Sequence, residues 1–517
     1  MAPTTKTSIN WTHHKWALFF CGISTFGALC YGYDQIYFTG VQGMQPFIND
    51  YAQTTTSDGK PALTTSFISL TASIIYVGEL AGAFLAAPIN ENLGRRAVFL
   101  CASLCIIIGA IVQLASHGSE GLIVLGRIFI GLGIGQFTVT CLLYMGEVAP
   151  AAVRGPALMT FQLMQSCSQL VGSAITQGTS NINNKNSYLV PFGVLIVLPG
   201  LMILLLVFLP ESPTWYVSKG KLEDGEKMLR KINKSMLDYD PSNDMRVLTE
   251  AVERDKALAA ESSWTSLVTD PIERRKVIYS AGAMVAQQIN GIQFFYSYGV
   301  IFAQSIGVSE PFTISLITNV LQVVAVAVSV YFGNRIPRRQ NLWYSTLGLW
   351  AALIVVGGLG TTRSSSRTFS SAVSTAIVVF SYIVIVCFNF SLGPLAYTIN
   401  SEMAVGRNRN KIVSVSISVF FITVFIIAFT APYLYYSANL GPMMCFVYAG
   451  TSCISLAYIW FCVGETTGRT ILEVERFFIE GIPARQWETH VFYHRTAEKD
   501  VSDLHEDKTA IHEVEVA

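Results

Sequence analysis

The feature that most limits what this chain can become is a succession of apolar runs. Each is about 20 residues long, the length a helix needs to cross roughly 30 Å of hydrocarbon at about 1.5 Å per residue. They fall at 16–37, 66–88, 97–115, 121–144, 157–177, 189–209, 277–303, 311–333, 342–360, 372–397, 411–436 and 442–463. Hydrophobic residues make up 51% of the 517 and charged residues only 13%, with a mean hydropathy of +0.46. A soluble chain of this length has nowhere to put such an excess. Backbone groups in lipid have no water to bond, so runs of this length must be helices. The expected fold class is an all-α membrane protein, with the lipid bilayer as its first partner.

The net charge is zero, and the information lies in where the charges sit. Connections after even-numbered runs hold Arg95 and Arg96, then Arg335, Arg338 and Arg339, and Arg154 lies just inside the fifth run; Arg407, Arg409 and Lys411 follow the tenth. Connections on the other side offer Lys60, Lys185, Arg363 and Arg367. The positive-inside rule therefore puts both termini in the cytoplasm. All ten cysteines fall within the runs, where a thiol acts as a small apolar group, and neither a disulfide framework nor zinc spacing is visible. Met1 to Lys15 is polar, so the first run itself is expected to direct insertion. The sequons at Asn10, Asn233 and Asn389 fall in the cytoplasm or in a run, so no N-glycan is expected.

A polar stretch, 210–276, separates six runs from six, and within it Lys221 to Asn233 and Met245 to Ala260 are patterned as amphipathic helices. The chain divides into a cytoplasmic N-terminus (1–15), a six-helix bundle (16–209), the linker, a second bundle (277–463) and a cytoplasmic tail (464–517) whose acidic end, Glu498 to Glu515, reads as disordered. The halves echo each other. Glu147 precedes Arg154 at the same spacing by which Glu402 precedes Arg409, Gly94-Arg95-Arg96 is matched by Pro337-Arg338-Arg339, and Glu211 by Glu465. Any one of these could be an ordinary flanking charge; the mirrored set implies duplicated halves, the way rocking transporters are built. Carboxylates and guanidiniums at facing helix ends are expected to form a cytoplasmic gate that breaks when the inner side opens.

Two sets of polar side chains sit inside the runs. Asp34 and Arg127 lie at similar depth, and an ionised group deep in a span costs roughly 2.5–3.5 kcal/mol, so pairing is expected; an interfacial, solvated Asp34 is the bland alternative. Gln162, Gln165 and Gln169 follow i, i+3, i+7 spacing and form one stripe, while Gln287, Gln288, Asn290 and Gln293 surround Gly291, where the helix is expected to bend. Amides donate and accept, which suits a neutral polyhydroxy solute; they also serve as glue between helices. The glycine run Gly131 to Gly135 has no preceding strand and reads as close helix packing. His13 and His14 read as solvated.

The strings Gly32-Tyr33-Asp34, Gly94-Arg95-Arg96, Gly126-Arg127, Tyr144 to Gly155, Pro210-Glu211-Ser212-Pro213, Gln287-Gln288 with Gly291, Gly393-Pro394 and Glu465-Thr466, in this order, resemble the sugar porter family of the major facilitator superfamily. The resemblance implies twelve transmembrane helices in two pseudo-symmetric bundles with cytoplasmic amphipathic helices. It further implies a proton-coupling pair at Asp34 and Arg127 and a sugar site lined by Gln162, Gln169, Gln287 and Gln288. The ending, Glu475-Arg476-Phe477-Phe478 and Ile482-Pro483-Ala484-Arg485, resembles the fungal α-glucoside and maltose permease branch. Departures are Glu91-Asn92, Pro337, and Leu142-Leu143 in place of a proline before Tyr144. In the implied site, Gln293 and Gln322 stand for Asn, Tyr397 and Phe421 for Trp, and Val424 for Asn, a pocket open to a disaccharide, polyol or sugar-derived metabolite. The expectation is a proton-coupled sugar symporter, with a uniporter or exporter and a non-transporting nutrient sensor as alternatives. It is expected to be no enzyme, to need no cofactor, metal or nucleic acid, and to work as a monomer in the plasma membrane.

Overall fold

The computed structural model describes residues 14–55, 59–236, 239–332, 336–362, 369–467, 469–490 and 492, with the side chains of 151–156, 159, 259 and 471 outside the description. The side chain of Arg154 is thus outside it, as are Arg335, Arg363, Arg367, His13 and the acidic tail.

Twelve helical columns run through the chain. The first is Lys15–Gln42, followed by Thr65–Leu93, Arg95–Leu114, Glu120–Val148, Ala151–Ser180 and Asn186–Leu205. The seventh is broken into Pro271–Gln288 and Ile292–Ser305. Then come Pro311–Phe332, Arg338–Gly360, Ser371–Met403 with a break at Ser391, Arg409–Ser437 ending in a π-turn, and Met444–Cys462. Several overshoot the apolar runs at their polar ends because hydropathy measures the hydrocarbon slab, whereas helical hydrogen bonding continues into the interface. Side-chain caps begin three of them: Thr64 Oγ1 accepts from Phe67 N, Asp270 from Ile272 N and Ser370 from Val373 N.

Among the described residues ten helices are long and apolar enough to cross a membrane by composition. The fifth and seventh are not among them, and these two carry the glutamine stripes. Apolar side chains such as Phe84, Ile111, Val207 and Ile454 point outward, as a lipid-facing surface requires.

Glycines set the closest approach. A Cβ on Gly131 would lie 2.3 Å from Ile75 O, and one on Gly135 would lie 2.0 Å from Glu79 O, so the fourth column presses its glycine run directly on the backbone of the second. The two halves meet where the first column packs on the seventh, the second on the eleventh and the fifth on the eighth. One end of the bundle carries the Arg95 and Arg338 clusters and is termed the charged end.

At that end the linker forms Pro213–Ser218, Leu222–Ile232 and Ser242–Glu261. Lys231 lies over the Phe20 ring and Lys234 over Trp16, which docks the linker on the first column. The tail helix Ile471–Ile479 opens with a capping box between Thr470 and Glu473. Phe477 and Phe478 then enclose the fully buried Trp487.

Candidate functional site

Midway through the bundle a cavity of about 520 Å³, counting the part open to solvent, is lined from both halves. The first half contributes Gln162, Gln165 and Gln169 from the stripe on the fifth column; the second contributes Gln287, Gln288, Gln293, Gln322 and Tyr397. Of the substrate-site residues named from sequence, all but Phe421 thus face one space. The position of Gln287 follows from two backbone breaks. Gly291 adopts a left-handed φ of +77°, and a Cβ there would sit 2.2 Å from the Tyr448 ring, so only glycine fits. Asn290 spans the break, donating to Gln287 O at 3.0 Å and accepting from Ile292 N at 3.0 Å. Gln287 then donates to the carbonyls of Leu392 at 3.2 Å and Gly393 at 2.8 Å, beside the break at Ser391 in the tenth column.

The amides are joined in a relay across the halves. Gln165 donates to Gln35 Oε1 at 3.1 Å, and Gln169 donates to the same oxygen while accepting from Gln322. Gln293 donates to the Tyr76 hydroxyl and to Ser297 Oγ. Two acceptors on the wall, Gln288 Oε1 and Gln322 Oε1, are buried without a partner among the described residues.

Residues missed from sequence complete the lining, chiefly Tyr31, Gln35, Tyr76, Tyr296 and Asn389. Phe421 is corrected: it is buried, and its neighbour Phe420 lines the cavity. One residue along a helix is about 100° of rotation, enough to exchange the two faces.

Beside the cavity Arg127 Nη1 donates to Asp34 Oδ1 at 2.9 Å, with both side chains almost wholly buried. Arg127 also donates to Thr71 O at 3.1 Å and lies 4.4 Å from the centre of the Phe38 ring. A solvated Asp34 is thereby excluded. A second buried acid, not named from sequence, lies beside this pair. Glu79 of the second column is buried near the pair, and neither of its carboxylate oxygens has a partner among the described residues. A lone Glu inside an apolar run was the signal that could have found it.

At the charged end the mirrored sequence clusters become mirrored geometry. Glu211 accepts from the backbone N–H groups of Arg95 and Arg96 at 3.0 and 3.1 Å; Glu465 accepts from those of Arg338 and Arg339 at 3.2 and 3.1 Å. Arg95 forms a two-pronged pair with Glu147, and Arg338 pairs with Glu402. Gly94 has a φ of +93°, and a Cβ there would strike Glu211, which explains the glycine of the first cluster; Pro337 needs no such freedom at φ −54°. These ion pairs join helices within one half. In this conformation, among the described residues, Arg95 and Arg338 reach carboxylates of their own bundle, and Arg96 and Arg339 reach the carbonyls of Leu206 and Trp460. Arg409 is exposed, and its backbone N–H donates to Gly406 O at 3.2 Å.

The sequence profile described as "Sugar (and other) transporter" matches residues 20–478. The chain belongs to the sugar transporter family. The transporter is 28% identical over 501 residues to the low-affinity glucose transporter of Kluyveromyces lactis, covering 94% of this chain and 87% of that one. It is also 28% identical over 468 residues to the low-affinity glucose transporter HXT3 of Saccharomyces cerevisiae, covering 89% and 82%. Among solved structures, the partially occluded inward-open xylose transporter XylE of E. coli aligns with a TM-score of 0.73 at 17% identity, over 88% of this transporter and 100% of that chain. The proton:xylose symporter XylE bound to 6-bromo-6-deoxy-D-glucose aligns with a TM-score of 0.72 at 18% identity, over 90% and 100%. That likeness shows the major facilitator fold, with its two six-helix bundles.

Proposed function

We propose that this transporter carries a sugar of roughly monosaccharide size by alternating access, coupled to protons. The observation that carries the reading is the amide-lined cavity between the halves, with the acceptor oxygens of Gln288 and Gln322 left unpartnered on its wall. Uncharged groups that donate and accept suit a neutral solute rich in hydroxyls, and charge in the wall would work against one. The names of the relatives, glucose and xylose transporters, point to the same class. Because these relatives are glucose and hexose transporters, the α-glucoside branch has no part in the proposal. The tail strings that suggested it serve packing instead, around Trp487.

The excess of arginine assigns the charged end, and with it both termini, to the cytoplasm. Coupling is assigned to the buried Asp34–Arg127 pair, whose parting accompanies the change of access. One proton falling through about 100 mV supplies roughly 2.3 kcal/mol, enough for about fifty-fold accumulation of a neutral solute. Uptake of radiolabelled sugars into a transport-deficient host at clamped external pH tests this. Asp34→Asn should abolish accumulation while solute exchange persists, and undiminished accumulation by that variant would rule the coupling role out.

A further inference from the structure

The second column places Glu79 in the middle of the protein, with 1% of its surface exposed. Its backbone is clamped by the glycines of the fourth column, since a Cβ on Gly131 would lie 3.0 Å from Glu79 N and one on Gly135 would lie 2.0 Å from Glu79 O. The side chain cannot be carried out to water by a small shift of the helix. The charged groups acting on it are Asp34 from the first column and Arg127 from the fourth. Tyr31 from the first column, Tyr397 from the tenth and Tyr76 on its own helix face it as well, and all three line the cavity. The eleventh column, which packs along the second, has no ionisable residue between Lys411 and Tyr433; the third, beyond Arg95 and Arg96 at its charged end, offers only the thiols of Cys101 and Cys105.

The cluster therefore holds two carboxyl groups and one guanidinium. Arg127 is engaged with Asp34 at 2.9 Å, while both oxygens of Glu79 are without partners among the described residues. With every group ionised the buried cluster would carry one uncompensated negative charge, which costs several kcal/mol in a low-dielectric interior; one bound proton makes it neutral. We infer that in this conformation the proton resides on Glu79 rather than on Asp34, and that Glu79 passes it to Asp34 when Arg127 withdraws. The step balances: the O–H bond of Glu79 breaks as that of Asp34 forms, the negative charge moves to Glu79, and the proton then leaves to water through the open cavity. The transfer step rests on the proton-coupled reading of the transporter; the position of the proton does not.

Infrared difference spectra of the purified transporter in lipid at neutral pH test it. The wild-type-minus-E79Q spectrum should show the C=O stretch of a protonated carboxyl, shifted in D2O, while the wild-type-minus-D34N spectrum should show carboxylate bands. Carboxylate bands in the E79Q difference would overturn the inference. Gln is isosteric with a protonated Glu, so E79Q should unfold at the wild-type temperature; if it does not fold, E79D, which keeps the acid, should shift the protonated-carboxyl band, and an unmoved band is equally fatal. Accumulation by E79Q should fall to a ratio of about one. A wild type that accumulates nothing under an imposed pH gradient would sink the coupled reading and leave the infrared assignment of the proton's position standing.

Discussion

Gln288 and Gly291 are neighbours in the seventh column with opposite kinds of importance. Among the described residues the Gln288 side chain has one weak bond, to Gln287 Oε1 at 3.3 Å, and an unpartnered oxygen on the cavity wall. Gln288→Leu should leave thermal unfolding unchanged or raise its midpoint, while weakening sugar binding by about 1 kcal/mol, roughly five-fold. A loss of stability with unchanged binding would make it a packing residue. Gly291→Ala should do the reverse: the left-handed backbone alone costs about 1–2 kcal/mol, and the Tyr448 clash adds to it. Yield of monodisperse protein checks this, and Tyr448→Ala in the same chain should recover the steric part. At this scale the sequence was most readable where a polar type recurred at helical spacing, as in Gln162, Gln165 and Gln169. It was least readable for Glu79 and Gln35, because a single polar residue barely alters the mean hydropathy of its run.

Among the elements, the two charged clusters invite direct comparison. Arg95 and Glu147 are about 10% exposed at their side chains, whereas Glu402, opposite Arg338, is 27% exposed. Removing a partner from the drier pair strands more charge, so Arg95→Ala should lower stability by about 2–3 kcal/mol and Arg338→Ala by less. Thermal shift of the purified variants gives the order, and equal losses would contradict the burial argument. The columns themselves were legible because lipid imposes one length on every crossing. The fifth and seventh were legible despite their polarity, since the glutamines interrupt only one face. The bend at Gly291 was visible in its glycine, but the break at Ser391 was not. It belongs to no glycine, and it precedes Pro394, whose missing N–H leaves a backbone carbonyl unbonded a turn earlier.

The molecule as a whole is joined unevenly. Among the described residues, hydrogen bonds between the halves run from the amide level to the end opposite the charged one. Thr39 donates to Tyr296 O and Ser297 O, Gln304 to Gly43 O, Ser69 to Phe429 O and Gln177 to Thr313 Oγ1. This end is shut in the present conformation, and it must part for alternating access. A thiol cross-linker joining Gln177→Cys to Thr313→Cys should reduce transport to background and a cleavable version should restore it on reduction; full activity while cross-linked would contradict rocking at this seam. The duplicated plan could be read from mirrored charges, but not which charges meet, since that depends on how far each helix reaches past the lipid. Because Arg95, Arg96, Arg338 and Arg339 are each bonded inside their own bundle in this conformation, a rigid tilt of the halves requires none of the four to change partners. Membrane voltage then has none of these four guanidiniums to drag through its field, and on the proposed coupling the electrical sensitivity of turnover passes to the ion that rides with the sugar.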